Sequence, residues 1–189
     1  MMSNVLLAIA FLLAPPADDS CYVPTPMEVV DKMMEVAEVG KDDVVYDLGS
    51  GDGRIVIVAA AKYGCMAVGY ELDPELVELS RRNVERNGVS HLVTIVHQDV
   101  LTVDLKPATV VMVYLSSELN RKLLPQLKTL KPESRVVSHA HKIFGLSLDR
   151  TVKARCKDGL SRAIYLYRIK AGGGLASCLT QPRVTTGST

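Results

Sequence analysis

Tryptophan is absent from this 189-residue sequence, aromatic residues make up only 5% of it, and there are four cysteines. Cys21, Cys65, Cys156 and Cys178 stand 44, 91 and 22 residues apart. No C-x-x-C pair exists to build a zinc knuckle or a redox motif, and the spacing implies no disulfide framework. An excess of charge is missing too. The 22 Lys+Arg face 21 Asp+Glu, a formal net charge of +1, which excludes a strongly electrostatic nucleic-acid binder and leaves room only for a local basic patch. No apolar run is long enough to span a bilayer: Val5 to Ala14, VLLAIAFLLA, would reach about 15 Å as a helix, half the hydrocarbon thickness.

What is present, 48% hydrophobic and 23% charged residues, excludes an intrinsically disordered chain. A chain of this length buries roughly 70% of its unfolded surface, enough for one core, so a single domain is expected. The run at 5–14 suits the h-region of a signal peptide, with small residues at Ala14-Pro15-Pro16-Ala17 for cleavage, although no Lys or Arg precedes it. Export or membrane association through residues 5–14 is favoured over a helix packed on the domain. Gly172-Gly173-Gly174 and Thr185-Thr186-Gly187-Ser188 mark a disordered tail. The expected organisation is a signal-like or anchor-like segment over 1–20, a working domain over 21–170 and a tail over 171–189.

Within the domain, short β-rich apolar runs alternate with helical patterns, the signature of a layered α/β architecture with a largely parallel sheet. Thr25-Pro26-Met27-Glu28 reads as a capping box with proline at the first helical position. It opens a helix with Val29, Val30, Met33, Met34 and Ala37 on one side and Gly40 at its end. Buried strands are predicted at 44–48, 66–71, 93–96, 109–115 and 135–138. Helices are predicted at 54–63, stopped by Gly64; from Asp73-Pro74 to Gly88; and after Ser116 or Ser117, with Leu119, Leu123, Leu127 and Leu130 on its apolar face and a kink at Pro125. Runs 151–156 and 163–169, joined by Lys157-Asp158-Gly159, fit an antiparallel hairpin added at a sheet edge.

The central signal is Asp47-Leu48-Gly49-Ser50-Gly51-Asp52-Gly53, between a strand and a helix start. Glycines let the backbone turn and approach a ligand, and the helix N-terminus at Gly53-Arg54 is expected to present unpaired N–H groups to a negative group. A dinucleotide and S-adenosylmethionine compete for such a loop. The dinucleotide fingerprint needs its third glycine at position 54, where this chain has Arg54. S-adenosylmethionine needs a loop for a zwitterionic methionine end, for which Asp47 near the amino group and the amides of Gly49, Ser50, Gly51 and Gly53 near the carboxylate are suited. Glu71, followed by Leu72, lies 20 residues after Gly51, at the spacing of an acid that accepts from ribose hydroxyls. Asp99 follows the third strand, where it can accept from an adenine amino group while Val100 covers the ring. Asp47, Glu71 and Asp99 thus fall at three successive strand C-termini, where open α/β sheets bind ligands.

This residue set resembles the class I S-adenosylmethionine-dependent methyltransferases. The resemblance implies a Rossmann-like, seven-stranded, mostly parallel sheet with a C-terminal antiparallel hairpin. Tyr22-Val23-Pro24-Thr25-Pro26, Val45 to Val56 and Gly69-Tyr70-Glu71-Leu72 narrow the likeness. They resemble the small mitochondrial protein-lysine methyltransferases that modify the adenine nucleotide translocator and the membrane-ring protein of ATP synthase, together with their bacterial relatives. By that resemblance the acceptor is a protein lysine, a small molecule is the alternative, and the apolar run 5–14 takes the place of a membrane-associating segment. An enzyme associated with a membrane and facing the cytosol reconciles that run with a donor made in the cytosol.

Methyl transfer from a sulfonium needs alignment, a dry site and a deprotonated acceptor, and demands no metal. Tyr22 and Thr25 before the first helix, and Tyr114, Ser116 and Ser117 after the fourth strand, are candidates to line the acceptor channel. Val113-Tyr114-Leu115-Ser116-Ser117 lacks the [D/N]-P-P-[Y/F] motif that holds a planar nitrogen, so no nucleic-acid partner is expected. His139 and His141 could share a face as ligands or bases, but no third ligand is placed with them; His139 as a polar wall of the acceptor pocket competes with a satisfied loop histidine. Arg81, Arg82 and Arg86 read as a solvated helix face. The rival classes are a non-catalytic module that keeps the cofactor fold and an NAD-dependent oxidoreductase.

Overall fold

The computed structural model describes residues 22–170. The apolar run 5–14, Cys21, Cys178 and the glycine-rich tail lie outside the described residues. Among the described residues no helix is long and apolar enough to cross a membrane.

Seven strands form one sheet: β1 (Val44–Leu48), β2 (Met66–Glu71), β3 (Val93–His97), β4 (Val110–Val113), β5 (Arg135–His139), β6 (Leu148–Arg155) and β7 (Ser161–Arg168). Their order is β3-β2-β1-β4-β5-β7-β6, with the first five parallel and β7 antiparallel to both β5 and β6. Helices α1 (Met27–Val36), α2 (Arg54–Tyr63) and α3 (Pro74–Arg86) cover one face, burying Val29, Met33, Val56, Ala59 and Val77. Helix α4 (Ser117–Leu127) and a short 3-10 turn at Val100–Thr102 cover the other, burying Leu123, Leu127, Val100 and Val103. Because both faces are covered, the inner strands are mostly buried along their length, and all of β4, VVMV, is buried and apolar. The chain order reverses between β1 and β4, so a crevice opens at their C-terminal ends.

Most predicted ends hold to within a residue or two, since they are marked by side chains that act locally. Asp73 caps α3 with Oδ1 accepting from Glu75 N and Leu76 N, and Ser116, rather than Ser117, caps α4 through Leu119 N. Pro125 lies inside α4 and removes the N–H that would bond the Arg121 carbonyl. The capping box does not form. Pro26 occupies the N-cap position without a side-chain bond, and Thr25 is buried with its carbonyl accepting from Arg54 Nη1 at 2.8 Å. Helix α1 also ends at Ala37, ahead of Gly40, because the backbone turns at Glu38 with φ 53°. At this lower edge Arg135 donates to Asp43 and to the Ala37 and Glu38 carbonyls. Burial would raise the Asp43 carboxyl, but bonds from Thr109 and Gly40 and the Arg135 charge hold it below the usual range.

Candidate functional site

The crevice between β1 and β4 opens into a cavity of about 850 Å3, within the size range of small-ligand sites. Its floor is the loop 49–53, where Gly49, Gly51 and Gly53 have φ of 79°, 54° and 81°. Gly53 must lack a side chain: a Cβ there would stand 2.3 Å from Ser80 Oγ on α3. At Gly51 a Cβ would stand 2.3 Å from the Tyr22 ring. A branched residue at 51 would therefore collide with the segment leading into α1, whereas the sequence suggests a collision with ligand.

That segment is strapped to the loop. Asp52 receives Arg54 Nε at 2.9 Å and Nη2 at 2.6 Å, while Arg54 Nη1 reaches Thr25 O. The Tyr22 hydroxyl lies against Asp52; burial and the Asp52 charge push it up, against the pull of Arg54 and the Asp52 N–H. In sequence, Asp52 and Arg54 read only as part of a glycine motif. Their second role depends on a partner 29 residues away and leaves no local signal.

The loop is not built for an anion, contrary to the expectation from its glycines. Gly49 N and Ser50 N donate to Tyr70 O, Gly51 N to Glu71 Oε2 at 2.8 Å, Gly53 N to Ser50 O, and Arg54 N to Asp52 Oδ1. These amides are spent within the chain. Among the described residues the cavity is lined by Asp47, Asp52, Glu71, Asp73 and Glu75 against Arg54 as its single basic residue. Such a lining favours a cationic ligand and disfavours a pyrophosphate.

Asp47 is the sharpest sign of a missing partner. It is 2% exposed, lines the cavity, and its Oδ2 has no hydrogen-bond partner among the described residues. Burial first, then the charges of Glu71 and Asp52, push its carboxyl well above the usual carboxylate range. An unpaired buried carboxylate costs several kcal/mol, so this position suits a bound cation. Ser50 Oγ, also buried and lining the cavity, is likewise unpartnered. These features fit the ammonium and sulfonium of S-adenosylmethionine. Glu71, at the end of the neighbouring strand, accepts from Gly51, Leu72 and Asp73 and so keeps about one of its roughly four acceptor positions, on Oε2, for an outside donor such as a ribose hydroxyl.

Tyr22, Thr25, Asp47, Gly49, Ser50, Glu71, Leu72, Tyr114 and Ser116 all line the cavity. Gly51 and Gly53 shape the loop from behind it. Asp99 and Val100 are not part of the lining: Asp99 Oδ1 caps the 3-10 turn through Leu101 N, and Val100 packs in the core beside α4. His139 is buried in β5, while His141 is exposed, its Nδ1 3.4 Å from Ser117 Oγ. Arg81 pairs with Glu78 on the outer face of α3. Asn120, 1% exposed with both amide atoms unpartnered, escapes the reading of the sequence; its signal is a polar residue in the apolar register of Leu123 and Leu127.

Residues 47–150 match the family described as the ANTKMT methyltransferase domain. A protein-lysine N-methyltransferase of Saccharolobus islandicus (strain REY15A) is 44% identical over 151 residues, covering 78% of this chain and 92% of its own. The adenine nucleotide translocase lysine N-methyltransferase of Mus musculus is 36% identical over 118 residues, covering 62% of this chain and 51% of its own, so the chain spans about half the length of that relative. A crystal structure described as an RNA methyltransferase from Salinibacter ruber in complex with S-adenosyl-L-homocysteine superposes with a TM-score of 0.73 at 45% identity, covering 79% of this chain and 95% of its own.

Proposed function

The chain belongs to the ANTKMT methyltransferase family, and from that premise we propose that this S-adenosylmethionine-dependent methyltransferase acts on the side-chain amine of a lysine in a protein. The observation that carries the reading is the acidic cavity whose lining includes the buried Asp47 with its Oδ2 unpartnered among the described residues. Asp47 would hold the ammonium of the methionine end, Arg54 its carboxylate and Glu71 a ribose hydroxyl. Adenine would extend towards Asp99 and Val100, beyond β3. When bound, S-adenosylmethionine supplies a methyl group on a sulfonium, with a neutral thioether as the leaving group.

With the ribose end assigned to β2, the reactive end faces β4, where Tyr114, Leu115, Ser116 and Leu119 meet Pro24 and Thr25. None of these six residues is charged. A lysine ammonium is drawn by the acids nearby and then enters a lining that disfavours charge, which lowers its pKa and frees the amine lone pair. The Tyr22 to Thr25 strap borders this side, and Tyr114 and Ser116 would supply oxygens to orient the amine.

RNA is the second reading, favoured by the description of the Salinibacter ruber protein. The five acids around the cavity oppose it, since a phosphate backbone seeks Lys and Arg. The test is to incubate the chain with methyl-labelled donor and, separately, a protein extract and total RNA, using Asp47→Asn as control. Label on mapped lysines supports the proposal; label confined to RNA contradicts it.

A further inference from the structure

At the C-terminal end of β5 the backbone turns through Ala140, whose φ of 62° lies in the left-handed region that alanine rarely adopts. The turn is pinned by Ala140 N donating to Ala163 O at 2.9 Å, His141 N to His139 O at 2.7 Å, and Ser138 Oγ to His141 O. It aims two imidazoles at one side chain. The His139 ring centroid lies 4.0 Å from that of Tyr114 with the planes at 37°, and His141 lies 6.4 Å away at 18°. His139 is 1% exposed, with Nδ1 unpartnered. Burial first, then the charges of Arg162 and His141, lowers its pKa to about 4, so the ring is uncharged at neutral pH. A strained alanine and an orphaned nitrogen both destabilise the fold, and both stand behind Tyr114. Costs that coincide in this way mark a place held for function.

We propose that His139 is a positioning residue for the acceptor: packed at a tilt against the Tyr114 ring, it fixes the phenol at the β4 side of the cavity. The proposal rests on the methyltransferase reading above. A cation behind Tyr114 would repel an incoming ammonium, and an anion would hold its proton; a neutral ring does neither and still restrains the phenol.

The test compares two cofactor analogues by calorimetry. S-adenosylhomocysteine leaves the methyl position empty, whereas sinefungin places a protonated amine there. His139→Ala is expected to weaken sinefungin at least fivefold while S-adenosylhomocysteine stays within twofold, and His139→Phe, which keeps a ring on Tyr114, to leave both within twofold. Tyr114→Leu should reproduce the sinefungin loss, and the double variant with His139→Ala should bind no more weakly than Tyr114→Leu alone. Equal effects on both ligands, no effect on either, a loss in His139→Phe matching that in His139→Ala, or additive losses in the double variant would overturn the proposal. Failure of the unaltered chain to bind S-adenosylhomocysteine would overturn the cofactor reading instead, and this inference with it.

Discussion

Asp47 ties stability and binding together. Its carboxyl pKa is raised in the folded chain, so its proton is retained on folding, and the associated stability is present at low pH and lost as pH rises through the folded-state value. Asp47→Asn should therefore raise the melting temperature of the ligand-free chain at pH 7 and leave it unchanged below about pH 3, where the carboxyl is protonated in both folded and unfolded states. The same variant should lose cofactor affinity by a few kcal/mol, the cost of removing a charged acceptor. Thermal melts at the two pH values check the first expectation and calorimetry the second. Glu71→Ala carries a second consequence that the sequence does not show, because Glu71 also anchors Gly51 N. Glu71→Gln is the cleaner probe of the ribose contact, with weaker cofactor binding and a smaller change in stability expected.

Among elements, the glycine loop is the most constrained. Gly53 and Gly159 share a φ of 81°, yet an added Cβ meets Ser80 at Gly53 and open space at Gly159. Gly159→Ala should cost about 1 to 2 kcal/mol from backbone conformation alone, and Gly53→Ala more, with α3 forced off α2; urea titrations distinguish the two. The loop's place between β1 and α2 was legible because its glycines, the apolar run before them and the stopping Gly64 act within a few residues. Its charge preference was not. Whether an amide is free depends on Tyr70 O and Glu71 on the next strand, and on an Asp52 side chain folding back to Arg54. The failed capping box has the same origin: Thr25 reads as a cap from its neighbours, but Arg54 holds its carbonyl from 29 residues away.

In the whole molecule, two steps of acid lability should arise from His139 and Asp43, set against the opposing gain from Asp47, whose raised pKa favours the fold at low pH. His139 has a lowered pKa, so its contribution is present above about pH 6.5 and is lost as pH falls towards 4, up to about 3 kcal/mol. The Asp43 to Arg135 tie has a lowered carboxyl pKa, so it weakens only below the ordinary carboxylate range. His139→Phe should flatten the first step and leave the second, as melting temperatures across pH 3 to 8 would show. The five parallel strands were legible because each is a short β-rich run between clear breaks, and the terminal hairpin because Lys157-Asp158-Gly159 joins two such runs. The joining of Tyr22, Asp47, Glu71 and Tyr114 around one cavity came from the α/β plan, which gathers strand C-termini at one edge. Asp99 ends a strand at that same edge but spends an oxygen on its own turn, a local bond that strand order cannot foresee.

The central claim is that an acidic cavity in this chain takes a cationic S-adenosyl ligand by ionising Asp47. Calorimetric titration of S-adenosylmethionine in buffers of different ionisation heat tests it most directly. The account predicts one site per chain, affinity that rises with pH in the acidic range, and release of a proton that disappears in Asp47→Asn. Binding without proton release, or equal affinity in Asp47→Asn, would contradict it.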